Sequence, residues 1–380
     1  MKIGFNARFF SEPNTGLGQF SLHLIRSLIL RFPDNIFLLY LPDNTPCPDF
    51  PGNNWKKNHL PGIRRKNFDR TFTKHPGFLK EKPDVLHIPH LKLPDEKQGI
   101  PLLLTIHDLI PAVFLQLKPF LSGKTPWKAI SALGLRSRLL DPYRARQATM
   151  INTISRCSAK DIARLLHYPE EQIVIIPNGF NPELNPGSSP DSIQSIKKKY
   201  GITNRFIINF GGQSVRKNLT RQMKAFCAAR KSLSGLQMLV TGEGHWQQKM
   251  IKKHIPGLLL PGKIPAEEMK HLISAADLSL YLSLYEGFGL PVLESIACGT
   301  PMLTSRDSAM SEILPEGCVF LDPLSTRSIS RTLLQLLHRP DLLKEKVRAA
   351  QPGLKNYTWE RAAEQYMVLY RKTAASASRG

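Results

Sequence analysis

The chain is poor in cysteine and in acidic residues, and it has no long apolar run. Each shortage removes a class of protein. The five cysteines, Cys47, Cys157, Cys227, Cys298 and Cys318, stand far apart with no C-x-x-C pair. Neither a disulfide framework nor a zinc site is expected from them. Apolar runs such as 101–106 and 257–261 fall well short of the roughly 18 residues that a membrane span needs. The start does not read as a signal peptide, because Met1-Lys2 leads through Ile3 to Phe5 straight into Asn6 and Arg8. The expected location is the cytoplasm. Only 30 Asp and Glu face 52 Lys and Arg, a formal net charge of +22. The stretch 197–231 alone holds ten Lys or Arg and no acid. Such an excess implies anionic partners: nucleotide phosphates, an anionic membrane surface or nucleic acid. No nucleic-acid recognition motif accompanies the charge, so nucleic acid is not expected.

What is present is an ordinary globular composition, 42% hydrophobic over 380 residues, long enough for two cores. Short apolar strands alternate with amphipathic helical stretches, the pattern of parallel sheets covered by helices. Residues 36–41, 85–88, 102–106 and 173–176 are predicted strands of a first domain. Residues 206–210, 237–241, 258–260, 278–282 and 302–304 are predicted strands of a second, with a helix over 219–230 among them. Between the two lies the polar stretch Asn185-Pro-Gly-Ser-Ser-Pro-Asp191, whose turn chemistry marks it as the expected boundary. Open parallel sheets bind ligands beyond the carboxyl ends of their strands, so two such domains facing one another would share a cleft.

The most informative stretch is Glu286-Gly-Phe-Gly-Leu-Pro-Val-Leu-Glu294, which follows a predicted strand and opens a predicted helix. Gly287 and Gly289 let backbone approach a ligand, and the amides around Phe288 and Leu290 face whatever lies before the helix. Glu294 is expected near that helix start. Two such carboxylates suit polyols: one can accept from the vicinal hydroxyls of a ribose, the other, Glu286, from a transferring sugar. Thr15-Gly16-Leu17-Gly18 follows the first strand, and the amides of Gly16, Leu17 and Gly18 are placed to meet a phosphate. Arg216 and Lys217 supply positive charge after the first strand of the second domain. His107 closes the strand 102–106, while Asp108 beside it reads as a turn or capping residue. His87 and His90 have no third ligand near them in sequence, and no metal site is expected.

These segments, together with Thr153-Ile-Ser155, Ile176-Pro-Asn-Gly179, Gly211 to Asn218 and Thr241-Gly-Glu-Gly244, resemble in order and spacing the retaining enzymes of glycosyltransferase family 4, with its E-x7-E signature. The resemblance runs over nearly the whole chain. It implies the GT-B fold: two doubly wound Rossmann-like α/β domains, 1–188 and 196–357, with a closing helix in 358–380 crossing back to the first. It implies transfer of a hexose from a nucleotide sugar to a glycan or lipid-linked acceptor with retention of configuration. Glu286, His107, Arg216 and Lys217 are then the catalytic set, with Gly16, Leu17, Gly18, Gly287, Phe288, Gly289, Leu290 and Glu294 on the donor. The chain has no D-x-D pair, which fits the family's metal-free mode, and no cofactor is expected. One departure stands out: Gly211-Gly212 replaces a Gly-Arg pair, removing one expected phosphate contact, for which Arg216 is a substitute. Arg-Lys-Asn before a leucine tilts the donor towards GDP-mannose. The basic stretches 56–82 and 118–146 fall in the acceptor-side domain; Trp127, Ile130, Leu133 and Leu140, interleaved with Lys128, Arg136 and Arg138, suit the inner face of a membrane. The alternatives are a nucleotide-sugar epimerase of the same fold and a non-catalytic basic binding protein.

Overall fold

The computed structural model describes residues 1–13, 15–96, 98–117, 141–185, 187–212, 214–242 and 254–376, the side chains of 115–117 excepted. The basic amphipathic stretch at 127–138 and Glu243-Gly244 therefore lie outside the described residues. The chain forms two compact units, Met1–Gly179 with Tyr357–Gly380, and Phe180–Asn356. The break comes ahead of the Pro/Gly/Ser stretch that composition marks as the boundary. The described residues of that stretch belong to the second unit, where the Ser188 hydroxyl lies 2.8 Å from Nδ1 of His271 and Leu184 is buried. Turn chemistry shows where a chain bends, and here the bend is tied down on one side.

In the first unit β1 (Lys2–Asn6), β2 (Ile36–Pro42), β3 (Trp55–Leu60), β4 (Val85–Ile88), β5 (Leu102–Thr105), β6 (Met150–Thr153) and β7 (Ile173–Ile175) form one parallel sheet in the order β3-β2-β1-β4-β5-β6-β7. The order reverses between β1 and β4, the switch point where such sheets open a crevice at their carboxyl ends. The central strands are buried on both faces, which is why they read as mostly apolar rather than alternating. The helix Trp359–Ser376 belongs to this unit and packs on the helix Gly16–Arg31, burying Trp359, Tyr366, Met367 and Tyr370.

A polar chain stitches that last helix to the sheet. Asn152 Nδ2 donates to the Tyr366 hydroxyl at 2.7 Å, and Thr105 Oγ1 donates to Asn152 Oδ1 at 2.6 Å. His87 Nε2 lies 2.7 Å from Thr105 Oγ1, and its Nδ1 lies 2.8 Å from the Tyr370 hydroxyl. With Thr105 already donating to Asn152, Nε2 of His87 must donate, and in the neutral ring that burial favours, Nδ1 accepts from the Tyr370 hydroxyl. Burial pushes the His87 pKa well below the ordinary value, and the neighbouring His107 adds to the shift. Both ring nitrogens are thus committed to packing.

In the second unit β8 (Phe206–Asn209), β9 (Gln237–Val240), β10 (Leu258–Leu259), β11 (Leu278–Tyr281), β12 (Met302–Ser305) and β13 (Cys318–Leu321) form a parallel sheet in the order β10-β9-β8-β11-β12-β13. Its switch point lies between β8 and β11, where Leu280 stands opposite Asn209. Helices Leu219–Ser232 and Thr326–Leu337 pack on one another and on the sheet through Phe226, Ala229, Ile329 and Leu333. Among the described residues no helix is long and apolar enough to cross a membrane.

Candidate functional site

The switch point of the second unit gathers most of the charged residues singled out in the sequence. After β8 the chain makes a short 3-10 turn, Val215–Lys217, then a left-handed residue, Asn218, which opens the helix Leu219–Ser232. Asn is among the few side-chain-bearing residues that tolerate that conformation. It is also pinned: Asn218 Nδ2 donates to the Leu282 carbonyl at 3.2 Å and to the Pro323 carbonyl at 2.7 Å. The Lys217 carbonyl accepts from Gln222 Nε2 at 2.6 Å, and the Arg216 carbonyl accepts from the Leu284 amide at 2.7 Å. Gln222 in turn accepts from Asn209 and from the Leu282 amide. The backbone carrying the two cations is therefore fixed to the ends of both central strands.

Across the switch point, Glu286 follows β11 and is 7% exposed. Its carboxylate forms an ion pair with Arg216 Nη1 through Oε2 and with Lys217 Nζ through Oε1, the latter at 2.9 Å. Lys217 Nζ also donates to the buried Tyr281 hydroxyl at 2.9 Å. Burial pushes the Lys217 pKa down, with Glu286 opposing the shift. Burial likewise pushes the Tyr281 phenol well above its ordinary range, reinforced by the Glu286 charge. Glu286, Arg216 and Lys217, far apart in sequence, thus converge on one point.

Glu294 lies in the second turn of the helix Leu290–Ala297, not at its start, so it is too far from the end to act through the helix dipole. Its carboxyl has no hydrogen-bonding partner among the described residues. Burial pushes its pKa up to about 7, with the Lys217 charge pulling the other way. A carboxyl that straddles neutrality can accept from hydroxyls when ionised and donate when not. Gly289 caps this helix in an extended conformation, Gly287 and the buried Phe288 precede it, and the Leu290 amide opens it without a partner among the described residues.

Gly212 explains the departure from the Gly-Arg pair. Its φ of +151° lies where side-chain-bearing residues are rarely found. An arginine there would strain the loop, and positive charge is instead carried by Arg216 and Lys217.

In the first unit the Gly-rich turn opens the helix Gly16–Arg31. Thr15 caps it, its hydroxyl accepting from the Gly18 amide at 3.1 Å. The Gly18 amide is therefore spent inside the protein and is not free to meet a phosphate as expected. Gly16 and Leu17 keep first-turn amides without a partner among the described residues. A Cβ on Gly18 would stand 1.9 Å from the Glu12 carbonyl oxygen, so only glycine fits.

His107 follows β5 by two residues. The Ser158 hydroxyl donates to its carbonyl at 2.9 Å, and Phe20 packs edge-on at 4.6 Å between ring centroids. Burial pushes its pKa down to about 4, against a hydrogen bond that the ring donates to the Pro89 carbonyl, with His90 also lowering it. The ring is neutral at physiological pH, and its Nε2 has no partner among the described residues. Asp108 Oδ1 accepts from the Ile110 amide at 3.0 Å at the entry to the helix Ile110–Leu117, the capping role its sequence position suggests.

Sequence reasoning missed two groups. Tyr281 lies in an apolar strand, where nothing separates it from a core tyrosine. At the β1/β4 switch point the buried Asp69 accepts from Asn6 Nδ2 at 3.0 Å and pairs with Arg8 Nη1 at 2.7 Å and His90 Nε2 at 3.1 Å. Burial pushes Asp69 up, but His90, Arg8 and Asn6 outweigh it and hold the carboxyl below its usual range. His87 and His90 therefore answer to different partners. Among the described residues no three His, Cys, Asp or Glu side chains form a group that could hold a metal ion.

Two family models match the chain: "Glycosyltransferase Family 4" over residues 45–184 and "Glycosyl transferases group 1" over 192–352. O-antigen chain mannosyltransferase B of Escherichia coli is 24% identical over 392 residues, covering 98% of this chain and 100% of that one. A GDP-mannose-dependent alpha-(1-6)-phosphatidylinositol dimannoside mannosyltransferase of Mycobacterium tuberculosis is 28% identical over 177 residues, 46% of each chain. Among solved structures, sucrose-phosphate synthase from Thermosynechococcus elongatus superposes with a TM-score of 0.76 at 16% identity, covering 99% of this chain and 100% of that one. At that identity the likeness speaks for the fold.

Proposed function

Since the chain belongs to glycosyltransferase family 4 and has the GT-B fold, we propose that it moves a hexose, mannose in particular, from a nucleotide diphosphate sugar to a glycan or lipid-linked acceptor, with retention and without a metal. The convergence of Arg216 and Lys217 beside Glu286 carries this reading. Breaking the bond between sugar and phosphate builds negative charge on the leaving diphosphate, and fixed cations stabilise it without having to reorganise. Arg216 and Lys217 take that role, and the Leu290 amide adds a dipole at the helix start. Glu286 faces the sugar, and Glu294 accepts from the ribose hydroxyls when ionised.

His107 contributes as a neutral ring. With one nitrogen turned to the Pro89 carbonyl, the unpartnered Nε2 carries a lone pair suited to a sugar hydroxyl. Gly16 and Leu17 offer amides to the donor's phosphates. No side-chain nucleophile is required: in same-face transfer the departing phosphate takes the acceptor's proton. The relatives that transfer mannose, one of them named for GDP-mannose, support a GDP-mannose donor. Exposed basic residues in 56–82, Lys57, Arg64 and Lys66 among them, support contact with an anionic membrane surface that would bring a lipid-linked acceptor within reach.

A panel of UDP, GDP, ADP and TDP sugars, added with EDTA to the purified protein, tests the donor class. A ligand that binds only the folded state raises the melting temperature. GDP-mannose is expected to give the largest rise; a larger rise from a UDP sugar would move the donor assignment, and no rise from any would remove the transferase reading.

A further inference from the structure

We infer that Glu286 is a displaceable counter-ion of the donor site: its carboxylate pairs with the two cations, and an incoming diphosphate must take its place. The inference rests on the donor reading above and adds to it the order in which charges are exchanged. The backbone under both cations is held by the Leu284 amide and by Gln222, and the Lys217 ammonium is held as well by the Tyr281 hydroxyl. Lys217 therefore keeps its place when the anion changes, while the Arg216 guanidinium swings from a fixed backbone position. Glu286, in contrast, sits on the connection between β11 and the helix Leu290–Ala297, and its Oε1 has no hydrogen bond with good geometry despite lying 2.9 Å from Lys217 Nζ.

The charges are unequal. Two cations face one carboxylate, so the cluster of Arg216, Lys217 and Glu286 carries an excess of one positive charge, which Glu294 offsets only when it is ionised. A diphosphate brings at least two negative charges and can satisfy both cations at once, whereas a carboxylate satisfies them only in part. Separating buried ions without replacement is costly, so Glu286 is released only when a strong anion arrives. The released carboxylate is then available to the sugar attached to that same diphosphate. After transfer, its return to the cations would help to expel the nucleoside diphosphate. Glu286 thereby sets a preference for diphosphates over weaker anions, and it weakens product binding.

The test titrates GDP and UDP, with EDTA present, into the wild-type protein and into Glu286→Gln by calorimetry. Removing the competing carboxylate is expected to tighten binding of the preferred nucleoside diphosphate about tenfold, about 1.4 kcal/mol. Affinity unchanged or weakened in Glu286→Gln overturns the inference and leaves the donor reading standing. Failure of the wild-type protein to bind either GDP or UDP removes the donor reading and this inference with it. Because Glu286→Gln leaves two half-buried cations unpaired, Arg216→Gln and the double variant complete the test. In the Arg216→Gln background the carboxylate competes for one cation fewer, so the gain from Glu286→Gln should shrink. An undiminished gain there would also overturn the exchange, since it would show only a general effect of removing negative charge.

Discussion

Lys217→Met is expected to lower kcat for hexose transfer by about 10²–10³, the cost typical of removing one preorganised group that stabilises developing negative charge. Lys217 Nζ is 2.9 Å from both Glu286 Oε1 and the Tyr281 hydroxyl, and its backbone is fixed through Gln222. It thus needs little reorganisation when charge builds on the leaving phosphate, and that is where a rate advantage arises. Methionine keeps the length and removes the charge, so packing against Tyr281 should survive. The measurement is steady-state kinetics with the sugar nucleotide that stabilises the wild-type protein most. The effect should fall mainly on kcat, because the charge of the leaving group is larger in the transition state than in the bound donor. A kcat within a few-fold of wild type would remove Lys217 from the leaving-group role and leave that role to Arg216.

The second large effect concerns acid. The protein is expected to lose stability steeply as the pH falls from about 6.5 to about 4, through its buried neutral histidines. The His107 pKa is pushed from 6.5 to about 4 by burial, His87 is pushed well below its ordinary value, and His90 is lowered as well. In that window the unfolded chain takes up protons that the folded protein refuses, so unfolding becomes more favourable as the pH drops. The contribution is fully present above the unfolded pKa and is spent by about pH 4. For His107 alone the shift corresponds to roughly 3 kcal/mol. Urea unfolding at pH 7 and pH 4.5 measures it. His107→Gln should flatten part of the slope, and an identical slope in that variant would mean the ring is not held neutral in the folded protein.

Much of this architecture can be read in the sequence, for a physical reason. Strands buried on both faces, such as β4, β5, β8 and β11, are mostly apolar with a single polar residue each and announce themselves. Two strands at the sheet edges do not. β3 carries Lys56 and Lys57 on a half-exposed strand and so lacks that pattern, whereas β13 is a four-residue apolar run too short to be told from a buried helical segment. Glu286, Arg216 and Lys217 were each legible as charged residues at strand ends. Their mutual contact was not, since no local spacing encodes an encounter between the turn after β8 and the turn after β11. The Asp69 cluster was illegible for the same reason: it joins the end of β1, a helix before β4 and the turn after it. Gly212 could be seen only as a missing arginine until its backbone conformation gave the cause.

The most direct test of metal-free transfer with retention is the slow release of sugar to water from the stabilising nucleotide sugar, with EDTA present, followed by proton NMR. The account predicts release without metal and first appearance of the anomer that the donor carries. Release only after magnesium is added, or first appearance of the opposite anomer, would contradict it.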